Sequence, residues 1–323
     1  METSTTTTVP IIDLSCIDGS GSTNQNEKLR VAKELRQACS EVGFFYIEGH
    51  GCPAQVVDEA FASLKDLFNS DERKKLEARN SPLYRGYNSI LTGAHSCTPE
   101  DKGALPDLKE SFTLGAEVKP GAQDSPMHGP NQWPQSLPQF EPAMRSYWVH
   151  LLGCVAERLM RALALSLDLD ETFFINQCDN PVAQMVLLRY PPQQVEATEA
   201  RNRIGCGAHT DCGFLTILSQ DAPGLEVMRK DGSWLEVAHK EGKFVVNLGD
   251  MAAYWTNDFY KSTTHRVGSS STLRHSIPFF VNCNFDATVK CLEGCCGDHP
   301  KYPPTKAGAY ILEKLGLMHI VDQ

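Results

Sequence analysis

Ile204-Gly-Cys-Gly-Ala-His-Thr-Asp-Cys-Gly-Phe-Leu-Thr-Ile-Leu218 is the stretch from which the rest of this chain is best understood. It ends in a β-rich apolar run, and Gly205, Gly207 and Gly213 let its backbone bend and approach a ligand closely. In an extended chain, residues two apart share a face, so His209 and Asp211 point together into the concave side of a sheet. Taken alone, a polar strand end in water explains the stretch equally well. With 10 His in 323 residues, chance supplies roughly 0.6 His-x-Asp triplets. The similar triplet His239-Lys240-Glu241 lies in a polar run between apolar segments and reads as a solvent-bathed hairpin tip.

What lifts His209 and Asp211 above chance lies downstream. His265 stands in Lys261-Ser-Thr-Thr-His-Arg-Val267, and Arg274-His-Ser276 follows, leading into Ile277-Pro-Phe-Phe-Val281. Two imidazoles and a carboxylate occupy one triangular face of an octahedral metal and leave three positions open for a co-substrate and dioxygen. Arg274 and Ser276 share one strand face. A guanidinium fork with a hydroxyl is a receptor for a carboxylate held away from the metal.

Helical spacing runs through Leu29, Ala32, Leu35, Cys39 and Val42, and again through Val57, Phe61, Leu64 and Phe68 after Pro53. Gly43 to Glu48 reads as a short buried strand between them. From Ala94 to Pro138 the Gly, Pro and polar residues predict loops, with a strand near Phe112. Met144, Trp148, Leu151, Val155, Leu159 and Ala162 predict one long amphipathic support helix. Beyond residue 180 come seven short β-rich runs: 184–190, 214–219, 225–227, 234–237, 244–248, 262–267 and 276–283. Such a series predicts a sandwich or jelly roll. A closing helix is expected near Thr305 to Leu315.

Composition bounds the rest. Hydrophobic residues make up 41% and charged residues 22%, which is ordinary for a globular chain with ample core. A formal net charge of -10 argues against nucleic acid or an anionic membrane as partner. The polar tract Met-Glu-Thr-Ser-Thr-Thr-Thr-Thr lacks the apolar core of a signal peptide, and no apolar run reaches transmembrane length, so the cytoplasm is the expected compartment. The 12 cysteines are scattered, which favours reduced thiols. Cys291, Cys295, Cys296 and His299 form a weak candidate zinc group with unusual spacing.

The pattern His-x-Asp…His…Arg-x-Ser resembles that of the non-haem Fe(II)/2-oxoglutarate-dependent dioxygenases. Within them it is similar to the branch holding the plant flavonoid, gibberellin and ethylene-biosynthesis oxygenases and isopenicillin N synthase. Val9-Pro-Ile-Ile-Asp-Leu14, Gly43-Phe-Phe-Tyr-Ile-Glu-Gly-His-Gly51, Tyr84-Arg-Gly-Tyr87, Gly129-Pro-Asn-Gln-Trp-Pro134, Arg189-Tyr-Pro-Pro192 and Asn247-Leu-Gly-Asp250 carry the resemblance along nearly the whole chain. It implies a mainly β fold with flanking helices: a double-stranded β-helix (jelly roll) core and a helix-rich N-terminal region. The expected division is 1–135 and 136–323, forming one integrated catalytic unit.

The resemblance also implies the chemistry. Fe(II) is held by His209, Asp211 and His265. 2-Oxoglutarate is bound by Arg274, Ser276 and Tyr190, and O2 is consumed to hydroxylate or desaturate a small molecule of secondary metabolism. Asp211 sets the chain apart from members that halogenate, which lack this carboxylate. Leu188 stands where many plant members have asparagine. Candidate substrate contacts are Tyr84, Phe112, Phe214, Tyr254 and Phe280, and the expected state is a monomer or weak dimer. Three other readings share these residues: an iron oxidase that does not use 2-oxoglutarate, a catalytically silent binding protein on the same fold, and a zinc hydrolase.

Overall fold

The structure is a computed structural model and describes residues 8–17, 24–79, 81, 83–89, 107–117, 125–193, 205–268 and 270–316. In chain order its first elements are β1 (Ile11–Asp13), α1 (Gln25–Glu41), β2 (Phe44–Glu48), α2 (Ala54–Asn69), α3 (Glu72–Lys75), β3 (Gly86–Asn88) and β4 (Glu110–Gly115). Next come α4 (Phe140–His150), α5 (Glu157–Ser166), α6 (Phe173–Gln177), β5 (Pro181–Tyr190), β6 (Cys206–His209), β7 (Leu215–Gln220), β8 (Leu225–Met228) and β9 (Trp234–Val237). The chain closes with β10 (Phe244–Leu248), α7 (Asp250–Trp255), β11 (His265–Val267), β12 (Arg274–Asn284), β13 (Thr288–Val289), β14 (Thr305–Lys306) and α8 (Ala307–Lys314).

An eight-stranded sheet, ordered β1-β2-β10-β7-β12-β5-β4-β3, faces a four-stranded one, ordered β6-β11-β8-β9. This is the expected jelly roll. The segment before residue 135 supplies four strands of the larger sheet, so its helices and the β core share one structure. Alternation along each strand decides what faces where. On β12, Ile277, Phe279, Val281 and Cys283 join the large core under the helices, leaving Arg274, Ser276, Phe280 and Asn282 on the concave face. β12 runs through Pro278, which pairs with Leu218 on β7, while the ladder to β5 passes from Ser276 to Phe279. A proline lacks the N–H that a central strand uses on one side.

The support helix forms against the convex face. Tyr147 donates to Ser219 Oγ at 2.8 Å, and Trp148 meets Phe279 edge-on with ring centroids 4.9 Å apart. It is not one uniform α-helix: Leu151–Ala156 is a π-helical turn between α4 and α5. The hydrophobic spacing does not register this turn, because both ends present the same apolar stripe. Part of the predicted loop region, 94–106 and 118–124, lies outside the described residues; from 125 to 138 it holds turns only.

Two local expectations are corrected. His239 is exposed, but it lies on no hairpin: β9 pairs with β8 and β10 with β7 and β2, so the polar run carries the chain from one sheet to the other. Cys291 and Cys296 are joined as a disulfide rather than both reduced. The 3-10 turn Glu293–Cys295 folds the chain back and brings their Cα atoms to 5.7 Å, within bridging range. Among the described residues, no helix is long and apolar enough to cross a membrane.

Asp221, just after β7, accepts from the backbone N and Nδ1 of His275 at 2.7 and 2.9 Å and pairs with Lys65 at 3.1 Å. Burial pushes its pKa up, but the bonds from His275 and Lys65 outweigh burial and hold it at about 2. A carboxyl whose folded pKa lies below its unfolded value of about 3.9 contributes stability above that value and loses it as pH falls toward 2. Asp221→Asn is therefore expected to lower Tm at pH 7, with the deficit shrinking on acidification from pH 5 to 2.5. A deficit that stays constant across a calorimetric pH series would refute the assignment.

Candidate active site

Register brings the two histidines together. β11 runs antiparallel to β6 with His265 opposite His209, and their ring centroids lie 4.3 Å apart. Asp211, two residues past His209, puts Oδ1 at 3.9 Å from His209 Nε2 and 3.7 Å from His265 Nε2. One donor atom from each lies within 4.8 Å of the others, and among the described residues this is the one group of three His, Cys, Asp or Glu that converges so. Cys291, Cys295, Cys296 and His299 do not.

Each ligand candidate has its other polar atom tied off by the protein. His209 Nδ1 meets Gly207 O at 2.7 Å, and His265 Nδ1 meets Thr263 O at 3.1 Å. With Nδ1–H donating to a carbonyl, each Nε2 presents a lone pair. Asp211 Oδ2 accepts from Thr216 Oγ1 at 2.6 Å and from Asn247 Nδ2 at 2.7 Å, leaving Oδ1 toward the histidines. Burial pushes the Asp211 carboxyl up, yet the two imidazoles and these donors outweigh it and keep it below its usual value. Space is kept by Gly213, where a Cβ would fall 1.7 Å from Asn282 Oδ1. These donors, two imidazole nitrogens and a carboxylate oxygen, suit a divalent iron.

Further along the concave face lies a second polar group. Arg274 is 1% exposed; its Nη1 donates to Ser276 Oγ at 3.1 Å and its Nη2 to Gln220 Oε1 at 2.9 Å. Tyr190, opposite Arg274 in register, offers its ring face 4.9 Å below the guanidinium. Gly224, beside the Arg274 stem, turns the chain at φ 130°, a conformation that L side chains rarely adopt. Gln220 is held in turn by donating to Val237 O at 3.2 Å. No motif announces it: it sits two strands from Tyr190, opposite Ser276, and strand order is what places it.

The aromatic candidates separate. Phe280 is on the concave face. Phe112 is one residue out of phase: it packs against Phe140 at 5.0 Å within the convex core, and its neighbours Ser111 and Thr113 face inward instead. Phe214 lies among Phe174 and Trp255, at 4.8 and 5.2 Å. Tyr254 stacks on Tyr302 at 4.0 Å in an outer cleft of about 340 Å³. Tyr84 packs with Met127 and the α8 residues Ile311 and Leu312. Leu188 makes its corner apolar, beside Tyr190 and Val267.

A further cluster was not anticipated. Asp107 Oδ1 accepts from Gly207 N at 3.2 Å, and Lys109 bridges Asp107 at 2.9 Å and Cys206 Sγ at 3.2 Å. Together they tie the approach to β4 onto β6, the strand that carries His209. The alternation Asp107-x-Lys109-x-Ser111-x-Thr113 was the available signal.

Comparison with known proteins agrees with this geometry. Residues 9–136 match the family model for the N-terminal region of non-haem dioxygenases of morphine synthesis, and residues 181–282 match that of the 2OG-Fe(II) oxygenase superfamily. The 2-oxoglutarate-Fe(II) type oxidoreductase hxnY of Emericella nidulans is 37% identical, across 92% of this chain and 86% of its own. The homoarginine-6-hydroxylase 2-ODD-233 of Oryza sativa subsp. japonica is 33% identical, across 95% and 96%. Full-length Neurospora crassa T7H, solved with alpha-KG, superposes with a TM-score of 0.82 at 27% identity, covering 95% of this chain and 96% of its own.

Thr216→Val and Asn247→Leu each remove one of the two donors to Asp211 Oδ2. Fe(II) affinity in an anaerobic titration is expected to fall about 10- to 100-fold for each. Wild-type affinity in both variants would show that Asp211 needs neither partner.

Proposed function

This chain belongs to the Fe(II)- and 2-oxoglutarate-dependent oxygenases, and from that premise we propose how its residues divide the work and what kind of molecule they oxidise. His209 and His265 hold Fe(II) through Nε2, and Asp211 through Oδ1. Arg274 and Ser276 receive the distal carboxylate of 2-oxoglutarate, with Gln220 orienting the guanidinium and Tyr190 flooring it. Bound iron, 2-oxoglutarate and O2 together supply the oxidant for a C–H bond, with release of succinate and CO2. The protein's part is to fix positions and exclude water.

The observation that carries this reading is the division of labour at Asp211 and the two histidines. Every second polar atom is committed to the protein, so three donors are left facing one point. On the same concave face stands a buried guanidinium, whose bonds to Ser276 and Gln220 leave it without a carboxylate partner among the described residues. An oxidase that dispenses with 2-oxoglutarate, or a zinc hydrolase, leaves that receptor without purpose. Asp211 as third ligand supports hydroxylation or desaturation rather than halogenation.

For the substrate, Ser111, Thr113, Gln184 and Asn282 beside Phe280 support a small metabolite with several polar groups. The homoarginine hydroxylases among the relatives fit that description. All three iron donors come from one chain, which supports a monomer as the working unit, and 1–135 with 136–323 act as one catalytic unit. A net charge of -10 disfavours a polyanionic partner.

Anaerobic addition of Fe(II) and 2-oxoglutarate is expected to give a weak visible charge-transfer band. The band should be absent from Asp211→Ala plus His265→Ala; its survival there would overturn the metal assignment. Arg274→Leu is expected to raise the KM for 2-oxoglutarate about 100-fold and Gln220→Leu about 10-fold, as lost charge-assisted bonds do. An unchanged KM in Arg274→Leu would place the co-substrate elsewhere.

A further inference from the structure

A second buried guanidinium meets the same concave face from its far edge. Arg85, just before β3, is 1% exposed. Its Nη2 donates to Met127 O at 2.7 Å, and among the described residues neither Nε nor Nη1 has a partner. The guanidinium lies flat on Gly115, where a Cβ would stand 1.7 to 2.0 Å from Cζ, Nη1 and Nη2. Leu114 points into the convex core, so the Cβ side of Gly115 is the concave side, shared with Thr113.

Register says what lies in its row. Gly115 is opposite Gln184, Gln184 opposite Phe280, and Phe280 opposite Thr216; Thr216 in turn holds Asp211. Three strand spacings of about 4.8 Å put Gly115 roughly 14 Å from Thr216 along the curved sheet. Gln184 and Phe280 occupy the interval. That length suits a small metabolite with one end at Arg85 and its reactive carbon near the metal ligands.

A desolvated cation short of acceptors is unfavourable, and such a group calls for an explanation in a ligand or ion. Burial draws the Arg85 pKa down to about 10, with Glu117 acting against it, so it stays charged at neutral pH. Glu117 is otherwise engaged, by Arg145 Nη1 at 2.8 Å and Asn131 N at 3.2 Å. Arg274 cannot share its partner, since it stands further along β12 with Ser276 and Gln220.

We propose that Arg85 anchors a carboxylate of the substrate at the end remote from the oxidised carbon, so that this enzyme selects small carboxylic acids. A planar guanidinium matches a carboxylate in shape, and one positive charge balances one negative one. The proposal rests on the oxygenase reading above and adds a substrate class to it.

Two measurements on the full chain test it. If the partner of Arg85 arrives only with substrate, exchanging the unpaired cation for hydrocarbon relieves the free protein, and the Tm of Arg85→Leu and Arg85→Met rises by several degrees. A Tm below wild type in both would make Arg85 a structural bond to Met127 and overturn the proposal. The second is a metabolite extract incubated with Fe(II), 2-oxoglutarate and O2. The compound that gains one oxygen or loses two hydrogens is expected to carry a carboxylate. Arg85→Leu should convert it with kcat/KM lower by about 100-fold, mostly through KM, while 2-oxoglutarate binding in the anaerobic titration matches wild type. Conversion of a compound without an acidic group, or equal conversion by the variant, would overturn it. Absence of the charge-transfer band in wild type would strike instead at the oxygenase reading.

Discussion

A carboxylate has two oxygens, and at Asp211 the fold claims one and leaves the other. Thr216 and Asn247, from adjacent strands β7 and β10, both donate to Oδ2. That choice orients the carboxylate plane, directs Oδ1 at the two imidazoles and links the metal site to the middle of the larger sheet. The histidines follow the same rule, each giving one nitrogen to a carbonyl two residues upstream. The site is preorganised by hydrogen bonds that lie outside the coordination sphere, and the strand register is what brings them within reach.

The large sheet carries its polar chemistry in rows. One runs from Gly115 through Gln184 and Phe280 to Thr216, another from Ser111 through Leu188 and Ser276 to Gln220. Residues between these rows point the other way and build the core with the helices. A single period of two thus sorts the polar groups of the concave face from core packing, and each of them has a convex neighbour whose burial holds it in place.

This is also why some of the molecule was legible in the sequence and some was not. His209 with Asp211, and Arg274 with Ser276, are spaced by two, so strand alternation alone put each pair on one face. The helices at Gln25–Glu41 and Ala54–Asn69 follow from plain 3.6 periodicity. Phe112 faces the convex core because strand parity, not aromatic character, decides which side a residue takes. Gln220 and Asp107 carry no motif, and only knowing which strands are neighbours reveals their part. The π-turn and the sheet-to-sheet crossing at His239 depend on tertiary packing that no local pattern encodes.

β6 is four residues long and forms the outer edge of the smaller sheet, pairing on one side with β11 alone. Its other side leans on Asp107, which takes the Gly207 N–H. Local opening costs least where backbone pairing is one-sided, and here the frayable strand carries a metal ligand. An ion held by His209 would therefore couple its own retention to the order of this edge strand, since a ligand that binds only the closed margin stabilises it by linkage.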